Sequence, residues 1–162
     1  MFTARPVRPD DQAGIRTLLI AAFASPAEAH LVERLRADAD VASEAVVDRD
    51  GQVVAFALCS WMMAPQGWVA LAPVATLPSQ QGRGAGALAV RAALAAAASA
   101  GARAAVVLGA PAYYGRFGFS TEDARAMQSP YPLEHTAVLA FGPDIAEAER
   151  QATLVYPSAF AG

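Results

Sequence analysis

Lysine is absent: all 12 basic residues of this 162-residue chain are arginine. A lysine Schiff base and the lysine of a Walker-type phosphate loop are both excluded. Cys59 is the one cysteine, which rules out an internal disulfide and a cysteine-built metal site. The two histidines, His30 and His135, stand far apart and outside any HExxH pattern, so no metal is expected. Long apolar runs are also missing. The nearest, 85–100, is mostly alanine, is interrupted by Arg91 and falls short of the ~20 residues that a membrane span takes. The first residues, Met1-Phe2-Thr3-Ala4-Arg5-Pro6, hold no basic stretch followed by an apolar one, so no secretory signal is expected and a cytoplasmic location is.

Asp and Glu are missing from the whole of 51–121. That segment holds Arg83, Arg91, Arg103 and Arg116 and is +4, whereas the rest of the chain is −7. A polyanionic ligand held centrally would explain the asymmetry, and so would a buried core. The net charge of −3, with no basic strip interleaved with aromatics, argues against nucleic acid as a partner. A hydrophobic fraction of 55% against 17% charged is too apolar for disorder, and the length suits a single domain over 1–162.

The pattern along the chain predicts a strand at 3–8 and a helix opened by Asp10-Asp11, with Ile15, Leu18, Leu19, Ala22 and Phe23 at helical spacing. Ser25-Pro26 breaks it before a second amphipathic helix at 27–39. Runs at 45–49 and 52–62 flank Asp50-Gly51, a strong hairpin signal, and 68–76 is a third strand. A helix at 84–100 ends at Gly101, and 104–108 is a continuous apolar strand suited to a buried parallel position. A short helix at 111–117 and strands at 133–141 and 153–156 complete the pattern. The fold class expected is α/β, one mixed sheet flanked by helices.

The densest signal is Gln81-Gly82-Arg83-Gly84-Ala85-Gly86-Ala87, between a strand and a helix. Glycines there let backbone approach a ligand, and the free N–H groups of the helix start favour an anion such as a pyrophosphate. Gly82, Gly84 and Ala87 also satisfy a relaxed dinucleotide fingerprint, but that motif wants an acid about 20 residues on, and none occurs before Glu122. Nicotinamide-dinucleotide binding is thereby disfavoured.

The segment Gln81 to Gly86 resembles the Q/R-x-x-G-x-G/A motif with which Gcn5-related N-acetyltransferases hold the coenzyme A pyrophosphate. Tyr113-Tyr114-Gly115-Arg116-Phe117-Gly118-Phe119 is similar to that family's short-helix motif, at the expected distance after the next strand. With the lead-in Val107-Leu108-Gly109, the likeness is greatest to small bacterial members of the YhbS group. Motif-level likeness covers roughly 71–119. The resemblance implies an acetyl-CoA-dependent transfer to an amine, with Gln81, Gly82, Arg83, Gly84, Ala85, Gly86 and Ala87 at the pyrophosphate and the backbone of Val74, Ala75 and Thr76 along the pantetheine. It implies Tyr114 as the acid that reprotonates the thiolate, Tyr113 packing or lining the site, a small-molecule or peptide amine as acceptor, and a homodimer as one assembly.

The chain departs from the family pattern at two places. Many relatives carry an acid on the strand before the loop, and 68–76 has none, which leaves Glu28, His30, Glu33, Glu134 and His135 as candidate bases. Ala110 stands where similar sequences read Gly-Asp-Pro. A catalytically weak acyl-CoA sensor is the alternative expectation. Cys59, in an apolar run with no neighbouring base, reads as a buried structural thiol rather than a nucleophile. Trp61, Met62, Met63 and Trp68 are candidates for an acceptor pocket, with core packing the commoner explanation.

Overall fold

The computed structural model describes residues 2–143 and 145–161. Six strands, β1 (Thr3–Pro6), β2 (Val41–Arg49), β3 (Gln52–Trp61), β4 (Trp68–Thr76), β5 (Ala104–Leu108) and β6 (Thr136–Ala140), lie side by side in sequence order. Around them pack α1 (Gln12–Phe23), α2 (Ala27–Ala37), α3 (Ala85–Ser99) and the single turn α4 (Pro111–Tyr114). Neighbouring strands are antiparallel except β4 and β5, which run parallel. This is the mixed sheet that the sequence pattern predicts. At the β2–β3 turn Asp50 and Gly51 both take positive φ, 54° and 81°, as a two-residue hairpin requires.

Alternation along the strands divides the core. Val69 and Leu71 of β4 and Ala105 and Val107 of β5 face α3, whose Ala89, Ala93 and Ala97 are small enough to bring the helix close to the sheet. On the other face, Phe56 and Leu58 of β3 pack under α1 and α2, and Trp68, Ala70 and Val106 pack under the C-terminal segment. α2 ends with Ala39 at φ 58°, its cap closed by hydrogen bonds from Asp40 N–H to Leu35 O (2.9 Å) and Ala39 N–H to Arg36 O (3.1 Å).

The feature that makes room for a site lies inside β4. Ala57 of β3 pairs with Val74, and Cys59 with Leu71, so Leu58 alone stands opposite Ala72 and Pro73. This is a β-bulge, and Pro73 has no N–H to give to a ladder. β4 pairs with β5 only at Trp68, Val69 and Ala70, opposite Ala104, Ala105 and Val106. Beyond the bulge β4 stays with β3, while β5 stays with β6 as far as Leu108 and Thr136. The two parallel strands therefore part.

Some expectations need correction. Residues 153–156 do not form a strand in the sheet. Leu154 and Tyr156 pack onto the sheet face beside Trp68 and Val138, so the chain crosses above the sheet and finds isolated bridges instead, Val155 with Ala64 and Thr153 with Gln128. Residues 133–135 form a 3-10 turn before β6. β2 begins at Val41 rather than at 45, because its early residues already pair with β3 and Ser43 Oγ donates to Ala93 O at 2.7 Å. Alanine, serine and glutamate carry little strand signal of their own.

Candidate active site

The carboxyl ends of β4 and β5 lie on one edge of the sheet because the strands are parallel. From the end of β4, a 3-10 turn (Pro78–Gln80) leads through Gly82 and Gly84, with φ of 76° and 86°, into α3. Both glycines hold backbone conformations that side chains resist. Gly84 caps the helix without a side chain, so the N–H groups of Ala85, Gly86 and Ala87 remain free to meet a ligand.

A cavity of about 390 Å³ opens there. One wall is Gly82, Gly84 and the first turn of α3, and the other is Thr76, Gln80, Tyr113 and Arg116. Gly86 is dictated by close approach, since a Cβ on it would lie 2.7 Å from Thr76 Oγ1. Gln80 Oε1 is buried and makes no hydrogen bond, which leaves a polar atom for a ligand to satisfy. Gln81 and Arg83 are exposed at the rim. The cradle fits a phosphate-bearing group.

Along the opening, Leu77 N–H donates to Val54 O at 2.9 Å. By period-two alternation the Ala75 peptide groups also face β3, and those of Val74 and Thr76 face the gap toward β5. Val74 and Thr76 thus offer unpaired backbone groups to an extended ligand, while Ala75 holds the strand in place.

On the β5 side, Gly109 N–H donates to His135 O at 2.9 Å and the chain turns into α4. A Cβ on Gly109 would lie 2.5 Å from Tyr114 Cε2, so the ring of Tyr114 rests on bare backbone. Edge contacts with Tyr113 (centroids 5.0 Å apart) and Phe119 (6.0 Å) fix it from the sides. Burial raises the Tyr114 phenol above its ordinary value, and neighbouring Tyr113 adds to this. Tyr114 therefore stays a neutral O–H donor.

The four central arginines separate. Arg116 stacks on Tyr113 with Cζ 4.4 Å from the ring centroid, and Arg91 stands 4.9 Å from that of Phe117. Arg103, at the opposite end of β5, forks onto Glu149 with bonds of 2.9 and 2.6 Å and has no part in the cavity. Thus Arg116 lines the cavity and Arg83 sits at its rim.

Other candidates fall elsewhere. Glu33 pairs with Arg16 at 2.7 Å. Glu28 and His30 line a separate cavity with Arg34 and Phe160, and Glu134 lines another with Glu122 and Arg125. His135 is exposed beside the end of β5. Cys59 is fully buried and its thiol is pushed up to about 12 by burial, which removes it as a nucleophile. Trp68 and Met62 are core, Trp61 packs against the α3 side of the core, and Met63 is exposed. Gln80, Thr76 Oγ1 and Gly109 are the site features that sequence reasoning missed. Gly109 was visible as the end of the Val107-Leu108-Gly109 lead-in, but its contact with the Tyr114 ring was not.

Comparison with known proteins shows the family. The model of the acetyltransferase (GNAT) family matches residues 13–119. The uncharacterized N-acetyltransferase YhbS of Escherichia coli strain K12 is 36% identical over 134 residues, 80% of either chain. Among solved structures, a GNAT family acetyltransferase from Brucella melitensis in complex with acetyl-CoA superposes with a TM-score of 0.82 at 35% identity, over 99% of this chain and 98% of that one. YhbS from Escherichia coli in complex with CoA gives 0.91 at 29% identity, over 99% and 92%.

Proposed function

Since the chain belongs to the GNAT acetyltransferase family, we propose that its residues 1–162 form one domain that transfers an acetyl group from acetyl-CoA to an amine by direct attack, without an acyl-enzyme. The observation that carries the proposal is the parting of β4 from β5 at Ala72 and Pro73, with the α3 cradle at one side of the mouth and, at the other, α4, whose Tyr113 lines the cavity and whose Tyr114 lies against Tyr113 and Gly109. The relatives solved with acetyl-CoA and with CoA support the choice of donor.

In this reading the N–H groups of Ala85, Gly86 and Ala87 hold the pyrophosphate, Gly82 and Gly84 let the backbone approach it, and Gln81 and Arg83 flank it from the rim. Val74 and Thr76 bond the pantetheine through backbone, and Ala75 between them keeps β4 on β3. A β4 N–H polarises the thioester carbonyl and stabilises its oxyanion. Tyr114 gives its phenolic proton to the departing thiolate; a phenol near ~10, raised further here, still reprotonates a thiolate whose thiol lies near ~8.5 when held in contact with it.

Thermal unfolding with acetyl-CoA, CoA and NAD in parallel tests the donor. Acetyl-CoA and CoA at about 100 times their dissociation constants stabilise the fold by ~2.7 kcal/mol, and NAD does not. Stabilisation by NAD alone would overturn the assignment. Acetyl-CoA binding without thiol release for any amine would mark an acyl-CoA sensor instead.

A further inference from the structure

We infer that the acceptor is a weakly basic amine, one largely unprotonated near neutral pH, such as a peptide α-amino group or an arylamine, rather than a lysine side chain or a polyamine. This deepens the proposed function and rests on it.

The inference begins with the ionisable groups around the opening. β4 from Trp68 to Thr76, β5 from Ala104 to Leu108, and α4 carry no Asp, Glu or His. Tyr113, Phe117, Phe119 and the backbone of Gly109 pack on Tyr114, which also rests against the α3 side of the core. Burial raises the Tyr114 phenol, and Tyr113 adds to it. Two cations stack on this aromatic cluster, Arg116 on Tyr113 and Arg91 on Phe117. Glu33 is held by Arg16, while Glu28 with His30, and Glu134, line other cavities. The residues that line the cavity include no carboxylate and no imidazole. Asp11, which shares a neighbouring cavity with Asp10 and Leu77, is held by Arg5. His135, whose backbone oxygen accepts from Gly109 N–H, has an exposed side chain beside the end of β5.

Proton accounting shows why that matters. When a neutral primary amine attacks the thioester carbon, the new C–N bond forms, the C–S bond breaks, the nitrogen must lose one proton and the sulfur must gain one. Tyr114 can give its proton to sulfur and recover one from nitrogen, so the cycle closes without another base. An ammonium acceptor brings one proton more, which has to leave before attack. At pH 7.5 an α-amino group with a pKa near ~7.8 is about one-third neutral, and a lysine amine near ~10.4 is about 0.1% neutral, a ratio of roughly 250.

The test measures kcat/KM by thiol release from pH 6.5 to 9.5 with three acceptors: a lysine-free tripeptide with a free N-terminus, an arylamine, and Nα-acetyl-lysine amide. The expected result is that the tripeptide or the arylamine exceeds the lysine amide by about 30- to 300-fold at pH 7.5. The tripeptide rate levels off above about pH 8, the arylamine rate is flat, and the lysine amide rate climbs about tenfold per pH unit. His135→Gln, His30→Gln and Glu28→Gln leave these profiles unchanged. A lysine amide rate that is already flat above pH 7, or that loses its flat profile in one of the three variants, would establish a resident base and overturn the inference. Acetyl-CoA binding with no release from tripeptide or arylamine also overturns it while the donor assignment stands. No binding of acetyl-CoA refutes the donor assignment itself.

Discussion

The two ends of the β4–β5 pair are built from the same two strands and behave as opposites. At the amino end, Trp68 to Ala70 pair with Ala104 to Val106 in a ladder whose side chains are all buried. Arg103 there is matched by Glu149, whose Oε2 also accepts from Trp68 Nε1 at 3.2 Å. At the carboxyl end the strands are unpaired, the backbone of Val74 and Thr76 faces a gap, and Arg116 has an aromatic ring for a neighbour instead of a carboxylate. Where the charge is neutralised the strands hold together. Where glycine and free N–H groups replace side chains, they leave room for a ligand.

If the division is real, changes at the open end should strike activity and spare the fold. The largest effect is expected for Tyr114→Phe, with kcat reduced about 100-fold or more and acetyl-CoA affinity preserved, read by steady-state kinetics beside a binding titration. Because Tyr114 is raised above its ordinary value and its proposed role uses the protonated form, the wild-type kcat should show no alkaline decline below about pH 10. Unchanged turnover in the phenylalanine variant would remove Tyr114 from the chemistry.

Next in size is Gly86→Ala. Its Cβ meets Thr76 Oγ1, so acetyl-CoA binding should weaken about tenfold or more, ~1.4 kcal/mol, with turnover at saturation largely kept. The double variant with Thr76→Ala should recover most of the loss in calorimetric titration. Failure of that rescue would place the fault outside the Gly86–Thr76 contact.

At the closed end the effects fall on stability instead of activity. Glu149→Gln should leave kcat unchanged and lower stability by about 1 kcal/mol, since Arg103 is half exposed and solvent screens the pair, a fall of roughly 2–4 °C in Tm. Arg103 holds the Glu149 carboxyl below its usual range, so this contribution is present above about pH 4 and is lost as pH falls through the lower folded value. Melts between pH 7 and 3 would show wild type and variant converging. Smallest of all should be Cys59→Ala, whose turnover is expected within about twofold of wild type because the buried thiol touches neither end.

The same contrast marks what could be read from residue order. Asp50-Gly51, the small glycines of 82–86 and the alanine face of α3 announce local geometry through local chemistry, and each was legible. The bulge was half legible. Pro73 is visible as a residue unsuited to a central strand, but the register that puts Leu58 opposite two residues depends on β3. The Arg103–Glu149 fork joins residues 46 apart, and Gly109 acquires its meaning only from where the Tyr114 ring comes to lie. The crossing of 153–156 above the sheet misled for a related reason. An alternating apolar segment reads alike whether its backbone bonds to a sheet edge or its side chains rest on a sheet face.

The short ladder at Trp68 to Ala70 makes the pair a lever. From Ala70 the strand runs six residues to Thr76, about 20 Å at the usual rise, so a rotation of only ~3° about the paired end shifts the tip by about 1 Å. The width of the mouth is therefore set by the angle between two supported arms, β4 held on β3 as far as Thr76 and β5 held on β6 as far as Leu108, with the three pairs from Trp68 to Ala70 as their hinge.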